Sequence, residues 1–409
     1  MKLLHTSDWH LGRSLYGRKR YDEFKGFLDW LMMTIREHSI DALLVSGDIF
    51  DTGTPSNRAQ ELYYQFLSQV FRSDCRHVVI TAGNHDSPTF LDAPKTLLRH
   101  QNIHVVGGVG ASSEDEVLVL KDAKGQPELI VCAVPYLRDR DIRLSEAGES
   151  MEDKAQKLVM GVKKHYNQVC RAAVSLRDSQ SHPLPIVAMG HLFTAGGDTI
   201  KEDGVRDLYV GSLGHVGADI FPSEIDYLAL GHLHIPQKAG GLDHFRYSGS
   251  PLPMSFGEAN HQKIVLEVDF EETRLEIREL PVPRFQELQR IRGNLDNLIQ
   301  VITRLKETGS NAWLEIECFE DVGTGLLQET VKSLIEGTGM EIIRTGNSGM
   351  VFRILGQEAP TETLNDLSEE DVFVRCMEAK EVPEIHRPEL LGAFREVLAS
   401  LNEQDVQAE

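Results

Sequence analysis

The first 86 residues hold three apolar runs, and each breaks at a polar turn rich in metal-ligand side chains. Lys2-Leu3-Leu4-His5-Thr6 stops at Ser7-Asp8-Trp9-His10-Leu11-Gly12, Leu43-Leu44-Val45-Ser46 at Gly47-Asp48, and Val78-Val79-Ile80 at Ala82-Gly83-Asn84-His85-Asp86. Between these runs lie two stretches with helical spacing. The first carries Phe24, Phe27, Leu28, Leu31 and Ile35; the second, entered at Thr54-Pro55-Ser56-Asn57, carries Leu62, Tyr63, Phe66, Leu67, Val70 and Phe71. Strand, helix, strand, helix, strand implies a largely parallel sheet whose turns gather on one edge. Ligand sites of open α/β sheets form at that edge.

Two later runs repeat the pattern. Pro185-Ile186-Val187-Ala188-Met189 ends at Gly190-His191, and Asp226-Tyr227-Leu228-Ala229-Leu230 ends at Gly231-His232-Leu233-His234. Short strands are expected at 103–106, 117–120, 129–134, 244–248, 263–269 and 273–279, with a helix over 151–176. Ligands at i and i+2 of an extended strand face opposite ways, but a turn rotates both toward one point. A preceding glycine permits the sharp turn and a close backbone approach. A lone histidine after a strand is more often structural, and a lone aspartate after glycine is commonly a turn residue. Five such turns in one chain, each ending a strand, point instead to a shared metal site. Carboxylate, amide oxygen and imidazole together suit manganese, iron, zinc or another first-row divalent ion, whereas calcium prefers oxygen alone and structural zinc prefers cysteine.

A chain of 409 residues exceeds one typical core, so two or three domains are expected. The boundary reads at Pro281-Val282-Pro283. Residues 1–280 form the metal-binding domain. Residues 284–355 read as a small βαβαβ unit, with helices near 294–307 and 324–336 and strands near 312–318, 340–345 and 350–355. Residues 360–409 read as two helices: Ser368 caps the first, with Asp371 at N3 and Leu367 stapling onto Val372, and Pro388 opens the second. The five cysteines are scattered and form no CxxC pair, which argues against a disulfide framework and suits a reducing cytoplasm. The chain starts straight into a strand-like segment, and no apolar run reaches membrane-spanning length.

The formal charge is −21, which argues against a free-standing nucleic-acid binder. Residues 356–409 hold 14 acidic and 4 basic residues, so about half the excess lies far from the candidate site. Next to that site the loop Gly12–Arg20 carries Arg13, Arg18, Lys19 and Arg20 and no acid. These residues can hold a phosphodiester backbone, with Tyr16 stacking on a base, or can simply solvate a loop. Arg138, Arg140 and Arg143 alternate with Asp139 and Asp141 and read as a self-paired face.

The five turns resemble the ordered signature of the calcineurin-like metallophosphoesterase superfamily, with no ligand position missing. The stretch His5-Thr6-Ser7-Asp8-Trp9-His10-Leu11-Gly12, the basic loop, Ser46-Gly47-Asp48-Ile49-Phe50-Asp51 and Tyr247-Ser248-Gly249-Ser250-Pro251 narrow the likeness to its bacterial nuclease subunits that partner an SMC-like ATPase. That resemblance implies an α/β fold, a four-layer α/β/β/α sandwich with a small α+β capping domain and a C-terminal helix pair. It implies two divalent metal ions, Mn2+ by preference. Asp8, His10 and His234 would hold one, Asn84, His191 and His232 the other, and Asp48 both. His85 would sit beside the phosphate as proton donor or charge stabiliser. Asp86 would orient His85 or cap the following turn, and Asp51 would be turn support or lie just outside the ligands. The implied activity is a DNA nuclease of repair, recombination and replication, exonucleolytic on duplex ends and endonucleolytic on single strands and hairpins. The implied partners are DNA, the ATPase through the C-terminal helices, and a second copy through the Leu62–Phe71 stripe. Two other readings compete. A small-phosphoester hydrolase of the superfamily would need neither the basic loop nor the extra domains, and a non-catalytic scaffold would lack some ligands.

Overall fold

Two six-stranded sheets lie face to face in the first of two compact units, Met1–Gln286 and Glu287–Glu409. The structure, a computed structural model, describes residues 1–143, 149–194, 217–271, 274–320 and 322–347, and beyond these 373–374, 377, 382–383, 386–388 and 390–394. The first unit runs β1 (Lys2–Thr6), β2 (Ser14–Leu15), β3 (Arg18–Lys19), α1 (Tyr21–Glu37), β4 (Ala42–Ser46), α2 (Asn57–Phe71) and β5 (His77–Thr81). Then come α3 (Pro88–Asp92), α4 (Lys95–Arg99), β6 (Ile103–Val106), β7 (Val117–Lys121), β8 (Pro127–Ala133), α5 (Asp139–Ile142) and α6 (Met151–Asp178). It closes with β9 (Ile186–His191), β10 (Tyr227–Gly231), β11 (Gln237–Lys238), β12 (Phe245–Tyr247), β13 (Ile264–Glu271) and β14 (Arg274–Pro281).

The first sheet has the order β14-β13-β1-β4-β5-β6, with β1, β4, β5 and β6 parallel. The second has the order β11-β12-β10-β9-β8-β7, with β8, β9, β10 and β12 parallel. The inner strands are apolar on both faces, as strands buried between layers must be. Leu3, Leu44, Val79, Val131, Val187, Ala229 and Leu266 fill the space between the sheets. Phe24, Phe27, Leu31, Phe66 and Val70 of α1 and α2 cover the outside of the first sheet, and Tyr166, Val169 and Ala173 of α6 cover the second. The result is the expected α/β four-layer sandwich. Polar links cross the apolar middle: His5 Nδ1 lies 2.9 Å from the Tyr227 hydroxyl, and Ser46 Oγ donates to Ala229 O at 3.0 Å.

Helix α2 starts where Ser56 accepts the amide of Ala59 at 3.3 Å. Tyr63, Phe66, Leu67 and Val70 of its stripe are core residues, while Phe71 is half-exposed. The stretch Gly12–Arg20, read from sequence as a polar loop, contains the β2–β3 hairpin with Tyr16 and Gly17 at its turn. Both have left-handed backbones (φ 46° and 85°), which is the twist a two-residue hairpin turn requires.

The second unit contains β15 (Leu288–Gly293), α7 (Leu295–Glu307), β16 (Trp313–Cys318), α8 (Thr324–Ile335) and β17 (Glu341–Asn347). Its parallel sheet has the order β15-β16-β17, over a core of Ile291, Leu298, Ile302, Leu314, Ile316, Leu327 and Val331. The βαβαβ order is as expected, but its first strand is β15, which the sequence reading missed. Arg290 and Arg292 alternate with apolar neighbours there and pair with Glu315 and Glu317 of β16, so the strand does not read as an apolar run. The expected strand at 350–355 lies outside the described residues, as do Leu367, Ser368, Asp371 and Val372. Of the C-terminal stretch, the Phe373 and Phe394 rings stack at 4.1 Å.

Candidate metal centre

All five ligand-bearing turns leave parallel strands, and backbone and side-chain hydrogen bonds tie them to one another. The turns after β1 and β4 run side by side: Asp8 N donates to Gly47 O at 3.0 Å, His10 N to Asp48 O at 2.9 Å and Leu11 N to Ile49 O at 2.9 Å. The turn after β5 is tied in through Asp86, whose carboxylate accepts the amides of Gly83 (2.8 Å), Ile49 (3.1 Å) and Phe50 (3.0 Å). Asp86 therefore neither orients His85 nor caps the turn that follows; it clamps two ligand turns together. Asp8 (φ 53°), His10 (47°), Asp48 (50°) and His232 (98°) all have left-handed backbones, which non-glycine residues adopt only under local constraint. Two glycines allow the close approach. A Cβ on Gly47 would stand 2.2 Å from His191 Nδ1, and one on Gly83 would stand 2.2 Å from Asp48 Oδ1.

Asp48 occupies the middle of the resulting cluster. Its Oδ2 lies 3.5 Å from His10 Nε2 and 3.3 Å from His191 Nε2, and its Oδ1 accepts the His85 amide at 2.8 Å. On one side Asp8, His10 and His234 bring ligand atoms within 4.8 Å of one another, with His10 Nε2 and His234 Nε2 facing at 3.2 Å. On the other side His191 Nε2 is 3.0 Å from Asn84 Oδ1, and the His232 ring stands 5.3 Å from the His191 ring. Asp8 reaches across by accepting the His232 amide at 2.9 Å. All seven expected ligands thus face one region, and all except the half-buried Asn84 are buried.

The charge state of the cluster fits a cation. Burial works against charge on Asp48, but His191 and His10 outweigh it and hold its carboxyl well below the ordinary range. Burial pushes Asp8 up, against the pull of His191 and His234. Burial drives His10 down to about 4 and His232 well below its usual value, leaving neutral imidazoles as a metal requires. Burial opposes a proton on His191 too, yet Asp48 and Asp8 raise it to about 9, so a proton there already balances buried carboxylate charge. Two carboxylates, four imidazoles and an amide oxygen suit first-row divalent ions.

Three of the four candidate imidazole ligands have a polar group behind the far nitrogen, and these groups are what the sequence reading largely missed. His10 Nδ1 faces Asp51 Oδ1 at 3.3 Å, so Asp51 stands directly behind a candidate ligand. His191 Nδ1 is 3.0 Å from Ser46 O. His234 Nδ1 faces Glu258 Oε1 at 3.6 Å. The Tyr247-Ser248-Gly249-Ser250-Pro251 segment supports the other flank: Ser7 Oγ donates to Asp8 Oδ2 at 2.5 Å and meets Ser248 Oγ at 2.8 Å. The His85 ring is held by a group other than the Asp86 carboxylate. Its Nδ1 is 2.8 Å from Asp51 O, and its ring meets the His10 ring edge-on at 4.8 Å.

The basic loop divides. Lys19 and Arg18 are exposed on β3, and Tyr16 is 46% exposed while stacking on Phe256. Arg13 is only partly exposed and pairs with Asp51 at 3.2 Å. Arg20 does not belong with the candidate DNA contacts. It is 1% exposed, donates to both Glu23 oxygens at 2.8 and 2.7 Å and to Pro253 O at 2.6 Å, and so ties α1 to a loop beside the site. The alternating face at 138–143 pairs as expected, with Arg143 on Asp139 and Glu149 and Arg140 on Asp141.

Residues 1–236 match the family described as Calcineurin-like phosphoesterase, and residues 284–381 match the Type 5 capsule protein repressor C-terminal domain. The chain is 37% identical over 98% of both sequences to the SbcD component of nuclease SbcCD from Escherichia coli strain K12. The SbcD component of nuclease SbcCD from Bacillus subtilis is 31% identical over 100% of both chains. Among solved structures, a dimetal phosphatase from Danio rerio is similar with a TM-score of 0.40 and 12% identity, covering 69% of this chain and 96% of that one.

Proposed function

We propose a two-metal DNA nuclease, on the premise that this chain belongs to the calcineurin-like phosphoesterase family and, within it, to the SbcD nucleases. It is a metal-dependent phosphodiester hydrolase of the SbcCD type. Asp8, His10 and His234 hold one divalent ion, Asn84, His191 and His232 hold a second, and Asp48 is shared; Mn2+ is the ion. The observation that carries this reading is the position of Asp48 Oδ2 between His10 Nε2 at 3.5 Å and His191 Nε2 at 3.3 Å.

Two divalent ions bound there would supply positive charge for the phosphodiester and lower the pKa of a water. The protein's own groups do the rest. The clamped turns hold the ligands in strained geometry before substrate arrives. The peptide oxygen of Asp51 accepts from His85 Nδ1, so in the neutral ring the proton sits on Nδ1. Donation from Nε2 to a leaving oxygen, or to a charged phosphate oxygen, therefore uses the cationic ring. Arg18 and Lys19 hold the DNA backbone, Arg13 pairs with Asp51 behind His10, and Tyr16 meets a base. Cleavage runs as an exonuclease on duplex ends and an endonuclease on single strands and hairpins, in the cytoplasm. The partner is the SMC-like ATPase SbcC, engaged through residues 360–409, in a heterotetramer built on a homodimer. Residues 284–355 form the capping domain. No helix among the described residues is long and apolar enough to cross a membrane.

A labelled DNA duplex tests the reading. Cleavage that requires Mn2+ and exceeds turnover of a small phosphodiester is expected. An intact duplex beside rapid hydrolysis of the small phosphodiester would replace this reading with a small-molecule phosphoesterase.

A further inference from the structure

Behind His234 lies a pair of buried charges that the metal site does not use directly. Glu258, in a one-turn 3-10 helix (Phe256–Glu258), is 0% exposed, and Lys263, at the entrance to β13, is 4% exposed. The two side chains are in direct contact. One oxygen of Glu258 is fully engaged: Oε2 accepts from Lys263, from the Met254 amide at 3.1 Å and from Ser250 Oγ at 3.5 Å. The other, Oε1, has no hydrogen-bond partner within range and stands 3.6 Å from His234 Nδ1. Lys263 grips the same histidine from the opposite end, donating to the His234 carbonyl at 2.9 Å and to Ser250 Oγ at 3.0 Å. One ion pair thus holds both the backbone and the ring of a single residue.

Placing two full charges in a dry interior is costly. A carboxylate opposite Nδ1 puts the ring proton there, leaves Nε2 as the lone-pair nitrogen and makes the ring a better donor. His234 Nε2 is the atom that faces His10 Nε2 at 3.2 Å, within the Asp8–His10–His234 group. His10 has an equivalent carboxylate in Asp51, whereas the nearest group behind His191 Nδ1 is the Ser46 carbonyl at 3.0 Å, with Asp8 Oδ1 farther off at 4.0 Å. The two halves of the centre are therefore braced by different chemistry.

We propose that Glu258, anchored by Lys263, is a positioning residue that aims His234 at its metal and sets the affinity of the Asp8–His10–His234 half alone. This rests on the two-metal reading above. Manganese titration by calorimetry tests it, with melting temperature followed in parallel. Glu258→Gln keeps the shape but leaves Lys263 unpaired, so the double variant Glu258→Gln/Lys263→Met, which removes both charges at similar volume, controls for folding. The native chain should bind manganese in two steps. Both variants should weaken one step by about 10–100-fold and leave the other within about twofold. The double variant should do so with a native melting temperature. Parental affinity in both steps for the folded double variant would overturn the proposal, as would equal weakening of both steps. Asp48→Ala separates this from failure of the underlying reading. It should abolish both steps, and two intact steps in that variant would mean the shared site itself is misassigned.

Discussion

The turns that bear the ligands and the basic hairpin that leaves the first of them are neighbours in the chain, yet they are constrained very differently. In the turns, each candidate ligand or its backbone is bound by another turn: Asp86 alone ties three amides, and four candidate ligands are held at positive φ. Where the hairpin ends, adjacent residues have opposite fates. Lys19 is exposed, and Arg20 is one of the most buried side chains in the protein. A metal site needs several groups held in one geometry, so its residue types and spacing carry information. A cation on a loop serves either solvent, nucleic acid or a buried carboxylate, and its sequence neighbours do not say which.

The largest test of that contrast falls on the turns. His85→Ala should lower cleavage by about 10²–10⁴-fold with metal content unchanged, measured by duplex cleavage and elemental analysis. Loss of metal in that variant would make His85 part of the ligand frame instead. Just past the hairpin, Arg20→Ala should destabilise the first unit by about 3–5 kcal/mol, because Glu23 stays buried without its partner; urea unfolding reads this. Unchanged stability with weakened DNA binding would return Arg20 to the nucleic-acid face. The smallest effect belongs to the exposed pair. Arg18→Ala/Lys19→Ala should leave folding and metal binding intact and reduce the salt dependence of DNA affinity by a slope of about 2. An unchanged slope would mean that the hairpin only solvates the site.

The same contrast decides what could be read from sequence. The sheets were legible because their inner strands are buried on both faces and appear as apolar runs ending in glycine turns. Strand β15 was not, because Arg290 and Arg292 pair across the sheet and interrupt the pattern. The seven candidate ligands were legible from the turns they occupy. Their supports were not: Glu258 lies 24 residues beyond His234, on a single 3-10 turn, and the partner of His191 is a backbone carbonyl. No side-chain pattern marks either. Asp86 was visible as a carboxylate in the Asn84-His85-Asp86 turn, but two of its three backbone partners, Ile49 and Phe50, lie on the neighbouring strand end and emerge only when β4 and β5 are set side by side.

The central claim is that two metal ions share Asp48. Anomalous diffraction at the manganese edge, from crystals grown with Mn2+, measures this directly. The account predicts two peaks per chain, one beside His10 and His234, the other beside His191 and His232, with Asp48 bonded to both. A single peak, or two peaks of which only one touches Asp48, would contradict it.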